Sequence, residues 1–462
     1  MLMYRKLSQH FKGEAGIYHL LQVSFPMMVS QASSSLMLFT DRYLLTPLGK
    51  EFPAASMAGG FSSVMLTIFF MGLLTYINPL VSQFLGAKKN EHCFGVLVQG
   101  FLLILLVFPL ILLTGYLAIP LYFKWIGIPI LQFDLAMKYF HIVNAGSIIV
   151  LLNTAISSFF TGVGQSRCVM WVNIFGTLCN VPLNLYLIES GIAGHFKGIE
   201  GAALATVFSY GIMVALYVVM LTSRRFKKSY IHEGPIWFFD RSILSKLVKF
   251  GGPTGAEFFL VFAAFNTFVG LFHSYGANEA LAMTITFNWD IVAFLPLWGL
   301  NIGIMSLVGR YMGSEQIDLA VKATWSGAKI AIVLTVFFAG LFFLFTDPLI
   351  QMFLPDNLGA DSEKIMELSR YMLRLVSIYC FANAINMVFT ATLRAAGDTR
   401  WCMICSLCTN WGMLGVAYLT IKVFSWSPLL SWLIFVTTIF LESCLFFIRY
   451  QKGRWQKLKV LS

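Results

Sequence analysis

Long apolar runs, broken by short polar or charged segments, recur from one end of the chain to the other. A helix needs roughly twenty such residues to cross a hydrocarbon core. The runs predict about twelve spans, near 17–44, 54–84, 95–122, 135–161, 168–188, 198–222, 247–274, 280–311, 322–345, 366–393, 401–422 and 428–448. None alternates polar and apolar positions as a membrane barrel strand would, and backbone amides facing lipid must bond within their own segment, so the spans are read as helices.

The pattern is doubled. GLLTYINPLVSQFLGA from Gly72 returns as GLNIGIMSLVGRYMGS from Gly299, with Gly72, Leu73, Leu80, Val81 and Gly86 falling on Gly299, Leu300, Leu307, Val308 and Gly313 at one offset of 227. Pro26 falls on Pro253 at the same offset, and GVGQSRCVM from Gly162 falls on AAGDTRWCM from Ala395 at an offset of 233, which also places Asn153 on Asn386. Two halves of six helices each, an even number, enter the membrane in the same direction and predict a pseudo-twofold axis along its normal. The expected division is an amino-terminal lobe over 1–223, a polar linker over 224–245 containing Gly234 and Pro235, and a carboxy-terminal lobe over 246–462. The first apolar run follows basic residues as a signal peptide does, but the partner of its Pro26 in the second half argues for a retained first helix.

Composition supports the same class: of 462 residues 58% are hydrophobic and 11% charged, with a mean hydropathy of +0.77, too little polar surface to cover a soluble globule. The net charge of +11 follows loop parity. One set of loops holds Arg5, Lys6, Lys12, Lys88, Lys89, Arg167, the run from Arg224 to Lys228, Arg310, Arg394, Arg400, and Arg449 to Lys459. The alternate set holds Glu51, Glu189, Glu200, Glu279, Asp347, Asp356, Asp361, Glu363 and Glu367. This is the positive-inside distribution, with both termini cytoplasmic and the basic loops facing anionic lipid rather than nucleic acid. Cys402, Cys405 and Cys408 sit at helical spacing within one span and read as packing residues. No phosphate-binding glycine loop, paired-cysteine metal motif or HExxH is present, so nothing points to an enzyme or a cofactor.

Polar groups at midspan are costly, which makes them the functional candidates. Asn173, Thr177, Asn180 and Asn184 follow one another at steps of four, three and four and share one helical face, with Pro182 beside them. Such a stripe either lines a wet cavity or bonds helices together, each bond contributing less than about 1 kcal/mol. Tyr379, Asn383, Asn386 and Thr390 repeat the arrangement, and Asn153 and Ser157 are the counterparts of Asn386 and Thr390. Acids are rarer. Asp41 is followed at once by Arg42, but consecutive helical residues point about 100° apart, so Asp41 is free to face a cleft. Glu257, one turn after Pro253, and Asp290, between Trp289 and Ile291, are further candidate cation or proton carriers. Arg370 and Arg374 follow Glu363 and Glu367 at near-helical spacing and read as a surface ladder. The doublets Gly59-Gly60 and Gly251-Gly252 read as points of close helix approach.

With these stretches in view the sequence resembles the multidrug and toxic compound extrusion (MATE) family over nearly its whole length. The resemblance is carried by LFTDRYLLTPLG around Asp41, FLGAKK at Phe84, FFTGVGQSR at Phe159, NVPLNLYLI from Asn180, GIEGAALAT at Gly198 and TLRAAGDTR at Thr392. It implies an all-α integral membrane protein of about twelve transmembrane helices in two pseudo-symmetric six-helix lobes. It also implies a cation-coupled antiporter in which a site in the amino lobe is formed by Asp41, Asn180, Asn184 and Thr206. Many members carry an acid where this chain has Asn184. In the carboxy lobe, members with a tenth-helix acid have it at the position of Asn383, beside Tyr379, and a seventh-helix acid would fall at Val261, one turn beyond Glu257. Asp290 matches no acid of the family.

The expected function is therefore H+- or Na+-driven export of drugs or other amphipathic organic compounds by alternating access. Cation-binding candidates are Asp41, Asn180, Asn184, Thr206, Glu257 and Asp290. Asn153, Asn173, Thr177, Tyr379, Asn383 and Asn386 line the expected substrate cavity. No cofactor and no metal beyond Na+ are expected, and the partners are a small cationic organic substrate and membrane lipid. The expected setting is a monomer in a bacterial inner membrane. A lipid-linked saccharide flippase or a metabolite exchanger of the same superfamily is the alternative, the flippase calling for a ring of arginines that the midspan positions do not supply.

Overall fold

A computed structural model describes residues 13–49, 51–126, 130–192, 194–223, 239–354 and 361–461. Arg5, Lys6, Lys12, the run from Arg224 to Lys228, most of the expected linker and Asp356 lie outside the described residues.

The described chain is almost wholly helical. Its helices are α1 (Ile17–Leu45), α2 (Glu51–Thr75), α3 (Ile77–Gly86), α4 (Asn90–Ile126), α5 (Ile130–Ala145), α6 (Ser147–Gly162), α7 (Ser166–Glu189) and α8 (Ile199–Thr222). They continue with α9 (Arg241–His273), α10 (Ala277–Gly313), α11 (Ile317–Leu344), α12 (Thr346–Gln351), α13 (Asp361–Ala395), α14 (Thr399–Tyr418) and α15 (Pro428–Gln451). Among the described residues ten helices, α2 and α3 counted as one, are long and apolar enough to cross a membrane. An eleventh span is α5 with α6, bent by 47° at their junction. With α1, which at 29 residues is also long enough but carries more polar side chains, the total reaches the expected twelve. The fold is an all-helical, multi-pass membrane architecture.

By internal packing the chain falls into two compact units. One contains 29–256 and the other 1–28 with 257–460, so the divisions fall inside α1, after Met28, and inside α9, after Ala256. Within the unit spanning 29–256 the helices approach closely where a glycine removes the side chain. A Cβ on Gly59 would lie 2.7 Å from the Ala136 carbonyl oxygen, and one on Gly251 would lie 2.7 Å from that of Leu73. Only the first member of each glycine doublet is so placed, since Gly252 meets nothing within 4 Å and Gly60 touches only Tyr139, at 3.7 Å.

The internal repeat is written into backbone conformation. After α3, Lys88 takes φ 59°, and after α10 its partner in the repeat, Glu315, takes φ 57°. The amide of the following residue donates back across the turn in both, Lys89 to Phe84 O and Gln316 to Tyr311 O, each at 2.9 Å. After α6 and α13 the left-handed residue is glycine, Gly164 at φ 84° and Gly397 at φ 95°. There Gln165 donates to Phe160 O and Asp398 to Leu393 O, at 2.8 and 2.9 Å. All four are the left-handed helix stop that satisfies otherwise orphaned carbonyls.

Candidate functional site

In the unit spanning 29–256, α7 and α8 bring side chains onto a carboxylate carried by α1. Asp41, near the end of α1, is 2% exposed. Its Oδ1 accepts from Asn184 Nδ2 of α7 and its Oδ2 from Thr206 Oγ1 of α8, both at 2.6 Å. Asn184 Nδ2 also donates to Asn180 Oδ1 at 3.0 Å, a contact that the four-residue helical spacing provides. Arg42 does not pair with Asp41; its guanidinium lies over the Phe61 ring, 5.8 Å from the centroid. Tyr139 of α5 and Tyr210 of α8 stand within electrostatic reach of the carboxylate. One buried atom of this cluster, Asn184 Oδ1, has no hydrogen-bond partner. The result is a buried pocket of one carboxylate, two amide oxygens and one hydroxyl, a set of hard oxygen donors that suits a proton or a sodium ion.

Further along α7 the stripe bonds to its neighbour. Ser33 Oγ of α1 donates to Thr177 Oγ1 at 3.0 Å, and Thr177 Oγ1 lies 3.1 Å from the Ser33 carbonyl oxygen. Asn173 turns its amide onto the Val169 carbonyl of its own helix, at 2.9 Å. Asn153 of α6 is buried, and its Oδ1 has no hydrogen-bond partner.

The unit holding residues 257–460 has two separate polar places. In the first, Asp290 of α10 faces Tyr379 of α13, whose ring meets that of Phe435 edge-on at 6.0 Å. Asn383 and Asn386 are half-buried on the same helix as Tyr379, and Thr390 Oγ1 returns to Asn386 through both its carbonyl and its Oδ1.

The second is centred on Glu257 of α9, which is 3% exposed. Its Oε1 accepts from Arg394 Nη2 of α13 at 2.9 Å and lies 2.8 Å from Ser406 Oγ of α14. Glu442 of α15 joins from the other side, its Oε1 2.6 Å from the same Ser406 hydroxyl. Arg394, expected in a basic loop, is instead buried in the last turn of α13 with its guanidinium over Phe258, 5.3 Å from the centroid. A guanidinium buried among helices takes the nearest carboxylate and ring face. Arg370 likewise departs from the expected ladder with Glu363 and Glu367, clamping Asp347 of α12 through two bonds of 2.7 and 3.1 Å. That clamp holds the Asp347 carboxyl below its ordinary range. Sequence reasoning missed Ser406 and Glu442 altogether.

Against known proteins, the family model MatE matches residues 26–186 and 253–419. The chain is 26% identical over 331 residues to the probable multidrug resistance protein NorM of Thermotoga maritima, covering 71% of this chain and 69% of that one. It is 23% identical over 402 residues to the multidrug resistance protein NorM of Photobacterium profundum, covering 86% and 85%. Among solved structures, a MOP superfamily transporter from Pyrococcus furiosus superposes with a TM-score of 0.86 at 20% identity, over 97% of this chain and 98% of that one. A MATE crystal structure in the bent conformation gives 0.85 at 20% identity, over 97% of each. At such identities the structural likeness is one of fold.

Proposed function

This chain belongs to the MatE family of membrane transporters, and on that premise we propose that it is a cation-coupled exporter of drug-like organic compounds, with Asp41 as the coupling site. The observation that carries the reading is the Asp41 carboxylate itself, 2% exposed and held by two 2.6 Å bonds from two other helices while the adjacent arginine turns away. A charge buried in this way at membrane depth costs free energy that a structural role alone does not repay. The NorM relatives carry the name multidrug resistance protein, which supports the same reading.

A proton or Na+ arriving at Asp41 changes what Asn184 and Thr206 bind, and so shifts the relative stability of arrangements of α1 against α7 and α8. Such differential binding is what allows an ion to drive a conformational change. One charge moving through 100 mV supplies about 2.3 kcal/mol and each pH unit about 1.4 kcal/mol. Together they support an export gradient of roughly a hundredfold or more. Glu257 and Asp290 are secondary coupling candidates in the carboxy-terminal half, and Asn153, Asn173, Thr177, Tyr379, Asn383 and Asn386 the candidate cavity lining. The lobes are proposed as 1–223 and 246–462 about a cytoplasmic linker, with both termini on the cytoplasmic face of a bacterial inner membrane.

The test is transport of a cationic dye by vesicles carrying an imposed pH or sodium gradient. Export is expected with one gradient and is expected to disappear in Asp41→Asn. Absence of transport with both gradients, or an Asp41→Asn protein as active as the parent, refutes the coupling role. Transport of a lipid-linked saccharide in its place would establish the flippase reading.

A further inference from the structure

We propose that Glu442 and Glu257, bridged by Ser406, form a site that binds one proton, resident on Glu442 and electrically balanced by Arg394. The inference begins with a count of hydrogens. Ser406 Oγ lies 2.8 Å from Glu257 Oε1 and 2.6 Å from Glu442 Oε1, yet a hydroxyl carries a single hydrogen. It donates to one carboxyl, and the second short contact is a hydrogen bond only if the other carboxyl donates to the Oγ lone pair. The pair therefore holds a proton.

Charge decides where that proton rests. Arg394 Nη2 is 2.9 Å from Glu257 Oε1, which favours the anion there. Among the described residues Glu442 has no ion pair; besides Ser406 it meets the Asn410 amide, 3.4 Å from its Oε2. Four helices enclose the cluster: Glu257 from α9, Arg394 from α13, Ser406 and Asn410 from α14, and Glu442 from α15. The other titratable groups facing it are the Cys402 and Cys405 thiols of α14 and Asp398, which is itself neutralised by a two-bond pair with Arg449. With both carboxyls ionised the cluster would carry an unbalanced negative charge at membrane depth, and one proton brings it to zero.

The same geometry permits transfer. As the Glu442 O–H breaks and its hydrogen passes to Ser406 Oγ, the hydrogen already on Oγ passes to Glu257 Oε1. Glu442 is left anionic and Glu257 neutral, with no proton gained or lost. The inference refines the part of the functional reading that concerns Glu257 and leaves Asp41 apart, so that either can fail without the other.

The experiment is infrared spectroscopy of the purified full chain in lipid nanodiscs at neutral pH, reading the carbonyl stretch of protonated carboxyl groups and its shift in heavy water. Glu442→Gln, whose amide can donate to Oγ as the acid did, is expected to remove one component of that band, and Asp41→Asn is expected to leave that component in place. Thermal stability gives the second readout: the parent should lose stability at alkaline pH as the proton leaves, and Glu442→Gln should not show this loss. If Glu442→Gln does not fold, Ser406→Ala keeps both carboxyls and is expected to shift the component in frequency. A Glu442→Gln spectrum identical to the parent, or an unshifted band in Ser406→Ala, overturns the assignment.

Discussion

Replacing Arg394 with methionine removes the guanidinium while keeping an unbranched apolar side chain of similar reach. Glu257, 3% exposed, is then left with Ser406 as its remaining donor, its Oε2 being already without a partner. Removing one partner of a buried ion pair costs about 3–5 kcal/mol, because the other charge stays buried and uncompensated. Loss of the cation–π contact with Phe258, at 5.3 Å, adds on the order of 1 kcal/mol. The double variant Glu257→Gln/Arg394→Met buries no unpaired charge and should recover most of that loss, since neutral replacement of a buried pair is often close to neutral in stability. The cycle should give a coupling of about 2–3 kcal/mol, the upper part of the range for residues in direct contact. Reversible unfolding in mixed micelles of detergent and dodecyl sulfate measures each corner of the cycle. An Arg394→Met protein within about 1 kcal/mol of the parent, or a double variant no more stable than that single one, would refute the reasoning.

Three further expectations can be checked by the same unfolding measurement. Lys88→Gly and Glu315→Gly, at φ 59° and 57°, should each stabilise by roughly 0.5–1 kcal/mol, whereas Gly164→Ala, at φ 84° with nothing within 4 Å of the new Cβ, should cost about 1–2 kcal/mol from backbone strain alone. Within α8, Gly201→Ala places a Cβ 2.1 Å from the Leu187 carbonyl oxygen and should cost about 1–3 kcal/mol, while Gly211→Ala meets nothing and should stabilise by up to about 1 kcal/mol. Asp347 is depressed by its bonds to Arg370, so its contribution is complete above the ordinary aspartate value of 3.8 and is lost as pH falls through its folded value below that. The stability difference between the parent and Arg370→Gln should accordingly shrink in strong acid and in high salt; a difference unchanged by either would show that the clamp acts through packing.

Span number, helical class and internal doubling were legible because each depends on local patterns many residues long. Asp41 with Asn180 and Asn184 was partly legible, since the two asparagines share a helical face. Their approach to Asp41, 143 residues from Asn184 in the chain, came only from resemblance. Glu257, Arg394, Ser406 and Glu442 lacked such a signal. Glu257 is 137 residues from Arg394 and Ser406 is 36 from Glu442, and no periodicity within one helix reports which faces of four helices meet. Arg394 was misplaced because a cation near a helix end looks like part of a basic loop. Arg370 was misplaced because acids one turn away on its own helix are easier to see than Asp347, which belongs to a separate short helix.

The paired left-handed stops at 88 and 315 and at 164 and 397 serve as registration marks along the duplication. Between the first and second mark the later copy is six residues longer, since the offset grows from 227 to 233. The extra length accrues on a stretch that, in the later copy, includes the short helix from Thr346 to Gln351 whose aspartate grips Arg370. Lysine stands opposite glutamate at one pair of marks and glycine opposite glycine at the other, so what the two copies still share at these joints is a dihedral angle rather than a side chain.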